Sequence, residues 1–197
     1  NGAFDIWQRG TSSSTNATYN SADRWWMYYN AGTTTYSQEA TVVPAGFRYA
    51  MKATQSVATG SFVMVQCFET TTAVTLASKT VTFSAYMAAT AAASVNFYVD
   101  YSTLTDVGPT GTWTTVSSII QSVPSGSAYA RYQITCTVPA TAKSIRVGVT
   151  ANTIAAGTSV YFAGLQLEEG TVATPFRRNA NSLQGELAAC QRYYVSE

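Results

Sequence analysis

Short runs of alternating apolar and polar residues, separated by Gly, Pro, Ser and Asn, recur along almost the whole chain. Alternation with a period of two is typical of β-strands with one buried face, and Thr, Val, Tyr and Phe suit such strands. The pattern predicts strands over Gly2–Arg9, Arg24–Tyr29, Thr34–Ala40, Arg48–Ala53, Phe62–Phe68, Thr80–Ala88, Ser94–Tyr101, Thr114–Val123, Ala130–Val138, Ser144–Thr150 and Val160–Leu167. Because these segments exceed what one flat sheet holds comfortably, we expect an all-β fold: a two-sheet antiparallel β-sandwich (jelly roll).

Several strands reveal which of their faces points inward. The apolar positions that share a face, and that we expect in the core, are Val81, Phe83, Ala85, Ile145, Val147 and Val149. Arg146 alternates with the last three and is expected to point outward. In Val160–Leu167 the apolar phase changes at Gly164, which predicts a β-bulge at that glycine.

Two segments depart from the strand pattern. Thr11–Tyr19 is rich in Ser, Thr and Asn and is expected to be a surface loop. Asn181–Tyr194 has apolar residues at three- and four-residue spacing, which predicts a short helix. We therefore expect residues 1–175 to form the sandwich domain, since single β-domains of this length are common. Residues 176–197 are expected to be a C-terminal extension that contacts a neighbouring subunit or the next module.

Charge and hydropathy exclude several classes of protein. Charged residues make up 11% of the chain and the net charge is +1. Nucleic-acid binding needs a basic stripe that neutralises phosphates, and the sequence has none. No stretch of about 18 apolar residues is present, so we predict no insertion into a membrane. Because the chain begins at Asn1 rather than at Met, we expect it to be part of a longer protein.

Conventional catalytic machinery is missing from the sequence. The chain contains no histidine, which removes the Ser-His-Asp and Cys-His arrangements. Ten acidic residues leave room for a pair of carboxylates like that of a glycosidase. We expect a protein that is not an enzyme, and we keep polysaccharide depolymerisation as a minor alternative.

Neither a cofactor nor a metal site is predicted. Asp100 and Asp106 flank a loop and, with Asn96, leave a structural calcium ion open, but their spacing matches no ordered set of ligands. The cysteines are Cys67, Cys136 and Cys190, and no CxxC motif is present. We expect Cys67 and Cys136 to act as small apolar residues, and the disulfide state stays open.

Aromatic residues are the most prominent chemical feature, at 13% of the chain. The densest cluster is Trp25-Trp26-Met27-Tyr28-Tyr29. In a strand, Trp25, Met27 and Tyr29 face one way, while Trp26 and Tyr28 face the other. One face belongs to the core. The other is either an exposed strip on which sugar rings stack, or a surface buried in the core or between subunits.

Three further aromatic residues are candidates for the same binding function. Tyr98 and Tyr101 lie on or just beyond one strand, near Asp100, where a groove on a concave sheet would use them. Trp113 opens another strand after a Gly-Pro loop, where it either contacts a ligand or plugs the edge of the sandwich. The candidate carbohydrate-binding residues are thus Trp26, Tyr28, Tyr98, Tyr101 and Trp113, while Tyr is equally common at subunit interfaces.

Two blocks of sequence bracket the chain and carry a resemblance to a known group of proteins. The blocks consist of Asn1–Gly10 with Ala22–Trp25, and of Leu165–Gly170, Ala173–Arg178 and Glu186–Tyr194. Together they resemble the opening and closing segments of a domain found in tail fibre and appendage proteins of bacteriophages and prophages. Phe62–Ala88 resembles the middle of carbohydrate-binding jelly rolls, in which a Gln and an acidic residue, here Gln66 and Glu69, precede the strand Lys79–Tyr86.

The resemblance implies a jelly roll carried on a virion appendage, outside the cell, often within a homotrimer. It implies binding to host cell-surface polysaccharide and contact with other virion proteins, although fold alone does not determine function. In that case Asp5, Arg9, Asp23 and Arg24 are expected to form buried pairs rather than ligand contacts. The alternative is a purely structural domain that trimerises or decorates the virion without a ligand.

Overall fold

A computed structural model of the chain describes residues 1–57, 60–178 and 181–192. Within these residues the strands are β1 Ser12–Ser13, β2 Trp26–Asn30, β3 Thr34–Glu39, β4 Ala50–Gln55, β5 Gly60–Phe68, β6 Thr80–Ala89, β7 Ala93–Ser102, β8 Thr114–Val123, β9 Ala130–Thr137, β10 Ser144–Ile154 and β11 Ser159–Glu169. The helices are α1 Thr70–Leu76 and α2 Leu183–Gln191. None of the helices in the described ranges is long and apolar enough to cross a membrane.

The strands form two antiparallel sheets that pack face to face. The six-stranded sheet has the order β1-β3-β4-β11-β6-β9, and the five-stranded sheet has the order β2-β5-β10-β7-β8. Neighbours in each sheet are mostly distant in sequence, as when β11 pairs with both β4 and β6. This arrangement confirms the predicted all-β, two-sheet sandwich with a short C-terminal helix.

The core lies between the two inner faces and is rich in aromatic and methionine side chains. All six residues predicted to face inward are 2% exposed or less. Phe62 meets Tyr36 at 6.3 Å and Phe162 at 5.7 Å between ring centroids, both nearly edge to face. Edge-to-face contacts of this kind add to the stabilisation that burial of the rings already provides.

The predicted strand Gly2–Arg9 is wrong, because this segment is a compact loop. The side chain of Asn1 donates to the carbonyl of Ile6 at 2.8 Å and accepts from its amide at 3.1 Å. Phe4 has a φ of 54° and is fully buried. A left-handed residue and a local side-chain bridge thus replace the hydrogen bonds that a sheet would supply. Arg24, with a φ of 72°, likewise delays the start of β2 to Trp26.

Helix α1 was not predicted, because its Thr- and Val-rich sequence has low helix propensity. Tertiary contacts stabilise it instead. Ala73 is fully buried, and Asp106 from a distant loop accepts a hydrogen bond from the Thr70 amide at 2.9 Å. The Asp106 amide returns a 2.9 Å bond to the Thr70 hydroxyl.

The predicted bulge at Gly164 is confirmed. The pairing of β11 with β6 shifts register between Ala163 and Gln166, and Gly164 has a φ of 60°. A Cβ atom at this position would lie 2.6 Å from Cζ of Phe47, so only glycine fits. The Thr11–Tyr19 loop also contains the two-residue strand β1, which the polar pattern did not reveal.

The two ends of the chain meet at one end of the sandwich. Arg178 forms an ion pair with Asp5 at 2.7 Å, and the backbone nitrogen of Asn1 lies 3.1 Å from Oε2 of Glu186 in α2. Ser182 caps α2 by accepting from the Gly185 amide at 3.0 Å. The predicted helix Asn181–Tyr194 therefore exists over Leu183–Gln191, and its last two predicted residues lie outside the described ranges. The role of residues 176–197 as a junction stays a prediction.

Candidate functional site

The outer face of the six-stranded sheet is covered by the protein's own chain. Phe47, from the loop between β3 and β4, packs against Tyr86 at 5.6 Å and against Phe176 at 5.2 Å between ring centroids. Arg131 donates to the carbonyl oxygen of Ala173 at 3.3 Å and holds residues 171–178 across this face. The covering segments leave this sheet with little surface for a ligand.

The outer face of the five-stranded sheet is partly open to solvent, since Tyr28 is 36% exposed and Ile120 is 68% exposed, whereas Val65 is 1% exposed. Strand register aligns two rows of outward side chains across the sheet. One row is Trp26, Val65, Gly148, Tyr98 and Ser118, and the other is Tyr28, Val63, Thr150, Asn96 and Ile120. We call these ten residues the open face. None of the ten is charged.

The edge of the open face is a ridge of two parallel rings. Trp26 and Tyr28 are two residues apart on β2, so their side chains leave the same face of the strand. Their ring centroids lie 5.8 Å apart with an angle of 1° between the planes. Tyr28 is 36% exposed and Trp26 is half-buried, whereas Trp25 and Met27 are each 1% exposed in the core. The predicted division of the two faces of β2 is therefore correct.

The centre of the open face is low because Gly148 has no side chain. A Cβ atom there would lie 2.4 Å from Cζ of Tyr98, so the Tyr98 ring lies across this glycine. Tyr98 is 9% exposed, and burial raises the pKa of its hydroxyl to about 12 although Arg146 and a hydrogen bond with Thr150 act to lower it. Tyr98 thus forms part of a floor, while Trp26 and Tyr28 stand above it.

An ion pair closes one end of the open face. Arg146 contacts Oδ2 of Asp100 at 2.8 Å and donates to the carbonyl of Pro109 at 2.8 Å. Its guanidinium lies 5.8 Å from the centre of the Tyr98 ring and 5.0 Å from that of Trp113. Cation–π contacts with both rings fix the arginine in place.

The predicted site residues divide between the two sides of the sheet. Trp26, Tyr28 and Tyr98 share the open face. Trp113 lies at the end of the open face, where its ring contacts Arg146. The indole nitrogen of Trp113 donates a hydrogen bond to the carbonyl of Gly108 at 3.1 Å. Tyr101 does not join them, because it lies on the inward side of β7 and packs against the core.

Gly148 and Thr150, which lie beside Tyr98 on the open face, were not identified from the sequence. Gly148 and Thr150 alternate with the inward aliphatic residues of β10. Their outward direction therefore followed from the same pattern that predicted Arg146 to point outward. The sequence did not show that Gly148 lies between Val65 and Tyr98, because this depends on which strands pair with β10. The same holds for Thr150, which lies between Val63 and Asn96. Alternation along a strand indicates which face each side chain lies on, but it does not indicate which strands lie next to that strand.

The acidic residues near this end of the sandwich serve separate purposes. Asp100 is 3% exposed and pairs with Arg146, while Asp106 bonds to the first residue of α1. No group of three or more Cys, Asp or Glu residues suited to a metal ion occurs in the ranges that the structure describes. Asp100 and Asp106, the two carboxylates of the calcium hypothesis, are thus engaged in separate contacts within the protein.

The three cysteines are free thiols. Burial raises the pKa of the Cys67 thiol to about 11 although nearby Arg146 acts in the opposite direction, and burial raises the pKa of Cys136 as well. A raised pKa keeps these thiols protonated and weakly nucleophilic at neutral pH. Cys190 is buried in α2.

No family model and no curated protein matches this sequence. Solved structures with a similar fold include a putative sugar-binding protein from Bacteroides thetaiotaomicron (TM-score 0.59, 16% identity, 86% of this chain and 97% of that chain). A carbohydrate-binding module of the CBM4 type is also similar (TM-score 0.54, 15% identity, 86% and 97%). A third is the enzymatically active domain of tailspike protein 4 of bacteriophage CBA120 (TM-score 0.56, 12% identity, 80% and 21%).

These likenesses define the class of fold. The chain adopts the β-sandwich that occurs in carbohydrate-binding modules, and it spans nearly the full length of the two sugar-related neighbours. It spans only 21% of the tailspike chain, so that likeness concerns one portion of a larger protein. At 12–16% identity the shared feature is the fold.

Proposed function

We propose that this protein is a non-enzymatic module that binds a polysaccharide on the open face. The observation that carries the proposal is the parallel pair of rings at the edge of the sheet, in which Tyr28 is exposed and Trp26 is half-buried. The other sheet is covered by the protein's own chain. The β-sandwich fold shared with carbohydrate-binding modules supports the same conclusion.

The chemistry of the open face suits a neutral sugar chain. Aromatic faces stack on the apolar C–H faces of sugar rings, and the parallel rings of Trp26 and Tyr28 supply aromatic surface of this kind. Thr150, Asn96 and Ser118 supply hydroxyl and amide groups for the sugar hydroxyls. Because the ten residues of this face carry no charge, no fixed charge selects an anionic polymer.

The setting that we propose is a virion appendage that attaches to host cell-surface polysaccharide. The bracketing sequence blocks support it, and so does the fold shared with part of a phage tailspike. In this setting the domain lies outside the cell, associates as a homotrimer and contacts other virion proteins. A neutral, Thr- and Tyr-rich surface is compatible with such an environment.

A depolymerase has less support than a binding module. Glycoside hydrolysis needs two carboxylates that face each other across the bound sugar. Asp100, which closes the end of the open face, is 3% exposed and paired with Arg146. Such a carboxylate is held in an ion pair rather than presented to a substrate.

The proposal is tested by a glycan array that includes bacterial surface polysaccharides. Wild-type protein is expected to bind one glycan class, and Trp26→Ala is expected to lose that binding while its melting temperature stays close to wild type. Tyr49→Ala is the matched control, because it removes a half-buried ring from the loop on the other sheet. A blank array from folded wild-type protein contradicts the proposal.

A structural role is the second candidate, because the open face is apolar as well as aromatic. Tyr28 is 36% exposed and Ile120 is 68% exposed on the same face. Exposed apolar side chains of this kind also occur where subunits meet. If light scattering gives a trimer that dissociates in Trp26→Ala, and no glycan binds, the open face holds subunits together instead.

A further inference from the structure

A cavity lies at the end of the sandwich where Asn1 and helix α2 meet. Its volume is about 400 Å³, and we call it the end cavity. Helix α1 forms one wall, the last residues of β11 form another, and Asn1 and α2 complete it. Small-molecule pockets range from about 300 to 1,000 Å³, so this cavity accommodates one or two sugar rings. None of its lining residues belongs to the open face.

The floor of the end cavity contains a buried amide with an unused donor. Gln66 follows Met64 on the inward side of β5 and is 8% exposed. Its Nε2 atom has no hydrogen-bond partner among the residues that the structure describes. A buried donor without a partner is costly, and nearly all such groups in native proteins are bonded. Gln66 lines the end cavity, so a ligand bound there can accept the hydrogen bond from its Nε2 atom.

The walls of the end cavity combine donors and acceptors in balance. Its charged lining residues are Arg24, Arg177, Arg192, Glu168, Glu169 and Glu186, which sum to no net charge. Thr72 and Thr75 add hydroxyl groups from α1, and Phe68 and Phe176 add apolar rings. Sugar hydroxyls both donate and accept, so this mixture suits a neutral sugar better than an anion or a cation.

We propose that the end cavity is a second binding site, which takes a single neutral sugar residue whose oxygen accepts a hydrogen bond from Nε2 of Gln66. The ligand is either a free monosaccharide or the terminal residue of a polysaccharide. The site shares no residue with the open face, so it stands or falls independently of polysaccharide binding there.

The variant that tests this role is Gln66→Met, which keeps the length of the side chain and removes its amide group. Because the Nε2 atom has no protein partner, the melting temperature is expected to stay the same or to rise. Gln55→Met is the matched control. Gln55 also has a buried Nε2 atom without a partner in the described residues, and it lies on β4, outside the end cavity.

The experiment is titration of ¹⁵N-labelled protein with glucose, galactose, mannose, rhamnose and N-acetylglucosamine, each followed by NMR. At least one sugar is expected to shift the side-chain NH₂ signals of Gln66 saturably. Gln66→Met is expected to weaken that binding roughly tenfold or more. Gln55→Met and Trp26→Ala are expected to retain it, which separates the end cavity from the open face.

A matching disaccharide distinguishes the two sources of ligand. If its terminal residue shifts the same Gln66 signals, the cavity accepts a chain end, and if only the monosaccharide does, the cavity takes free sugar. The proposal is overturned if no sugar moves the Gln66 amide signals, if Gln66→Met binds as tightly as wild type, or if every shift disappears in Trp26→Ala.

Discussion

At the scale of single residues, Gly148 determines the shape of the open face. Its missing side chain lets the ring of Tyr98 lie flat across β10, where burial raises the hydroxyl pKa to about 12. Arg146 then packs between that ring and Trp113 while it pairs with Asp100. The contacts from Gly148 through Tyr98 and Arg146 to the β7–β8 loop thus depend on the absence of a side chain at one position.

Gly148→Ala is expected to displace Tyr98, because the new Cβ atom would lie 2.4 Å from its Cζ atom. Such overpacking costs about 1–3 kcal/mol of unfolding free energy, and a raised Tyr98 also weakens polysaccharide binding. Urea denaturation and the glycan assay measure the two effects. Gly108→Ala is the control, since nothing lies within 4 Å of a Cβ atom there. Equal stability of the two variants would contradict the proposed packing.

Glu168 links stability to pH through the segment that covers the six-stranded sheet. Its carboxylate accepts hydrogen bonds from the Thr174 amide at 2.9 Å and the Thr174 hydroxyl at 2.6 Å. Burial opposes the charged form, but these bonds and one from Gln166 prevail and hold the pKa of Glu168 below its ordinary value. The anchoring of this segment therefore depends on an ionised carboxylate.

Because the folded-state pKa of Glu168 is lower than the unfolded-state pKa, its contribution is present above the unfolded value and disappears as pH falls through the folded value. Glu168→Gln is expected to be less stable than wild type at pH 7 and to approach it below about pH 4. Urea unfolding at both pH values measures the difference. A gap that stays constant with pH would mean that the charge is not what anchors residues 171–178.

At the scale of elements, strand β2 and helix α1 illustrate opposite relations between sequence and structure. The two faces of the segment that contains β2 follow from its own sequence. Trp25 and Met27 alternate with Trp26 and Tyr28, and this alternation does not depend on which strand pairs with β2. Helix α1 has a poor helical sequence and depends on a distant aspartate at its start. Elements of the second kind are not predictable from local pattern.

Asp106→Ala is expected to weaken helix α1. Glu69 at the N-cap position makes no side-chain capping bond, so Asp106 is the residue whose side chain bonds to the Thr70 amide. Loss of a capping bond costs about 0.5–2 kcal/mol. Hydrogen exchange of the Thr72 and Ala73 amides is expected to accelerate. Asp106→Asn keeps the acceptor oxygen and should exchange like wild type; if it exchanges as fast as Asp106→Ala, the carboxylate charge matters instead.

At the scale of the whole molecule, the first and last described segments hold one end of the sandwich together. Asp5 and Arg178, 173 positions apart, form an ion pair, and Asp5 is 5% exposed in its side chain. Glu186 of α2 lies 3.1 Å from the nitrogen of Asn1. The end cavity lies within this assembly, so its walls depend on contacts that span the whole chain.

Arg178→Met is expected to lower the unfolding free energy by about 1–3 kcal/mol, because it leaves the Asp5 carboxylate buried without its partner. Adding Asp5→Asn is expected to recover part of the loss, and the double-mutant cycle gives the coupling energy. Arg177→Met serves as the control at a neighbouring exposed position. Chemical denaturation measures the four proteins of the cycle and the Arg177→Met control, and strict additivity would mean that the pair contributes nothing.

Much of the fold and part of the site were predictable from local pattern. Val81, Phe83 and Ala85 alternate with polar residues and are all buried, and Gly164 marks the bulge where the phase changes. The segment Gly2–Arg9 has similar apolar residues yet forms a loop, because Phe4 adopts a left-handed conformation and Asn1 bonds across the turn. Local hydrophobicity does not distinguish a strand within a sheet from a loop whose apolar side chains are buried at the end of the sandwich.

The sequence alone determined that this chain is a two-sheet β-sandwich and that Trp26 and Tyr28 turn away from its core, since side-chain alternation is a local property of an extended backbone. Only the tertiary structure decided which sheet is covered by Phe47 and Phe176 and which face stays open. It also decided that Tyr98 lies over Gly148 while Tyr101 points inward. These outcomes depend on pairing between strands far apart in the chain, and no local pattern encodes that pairing.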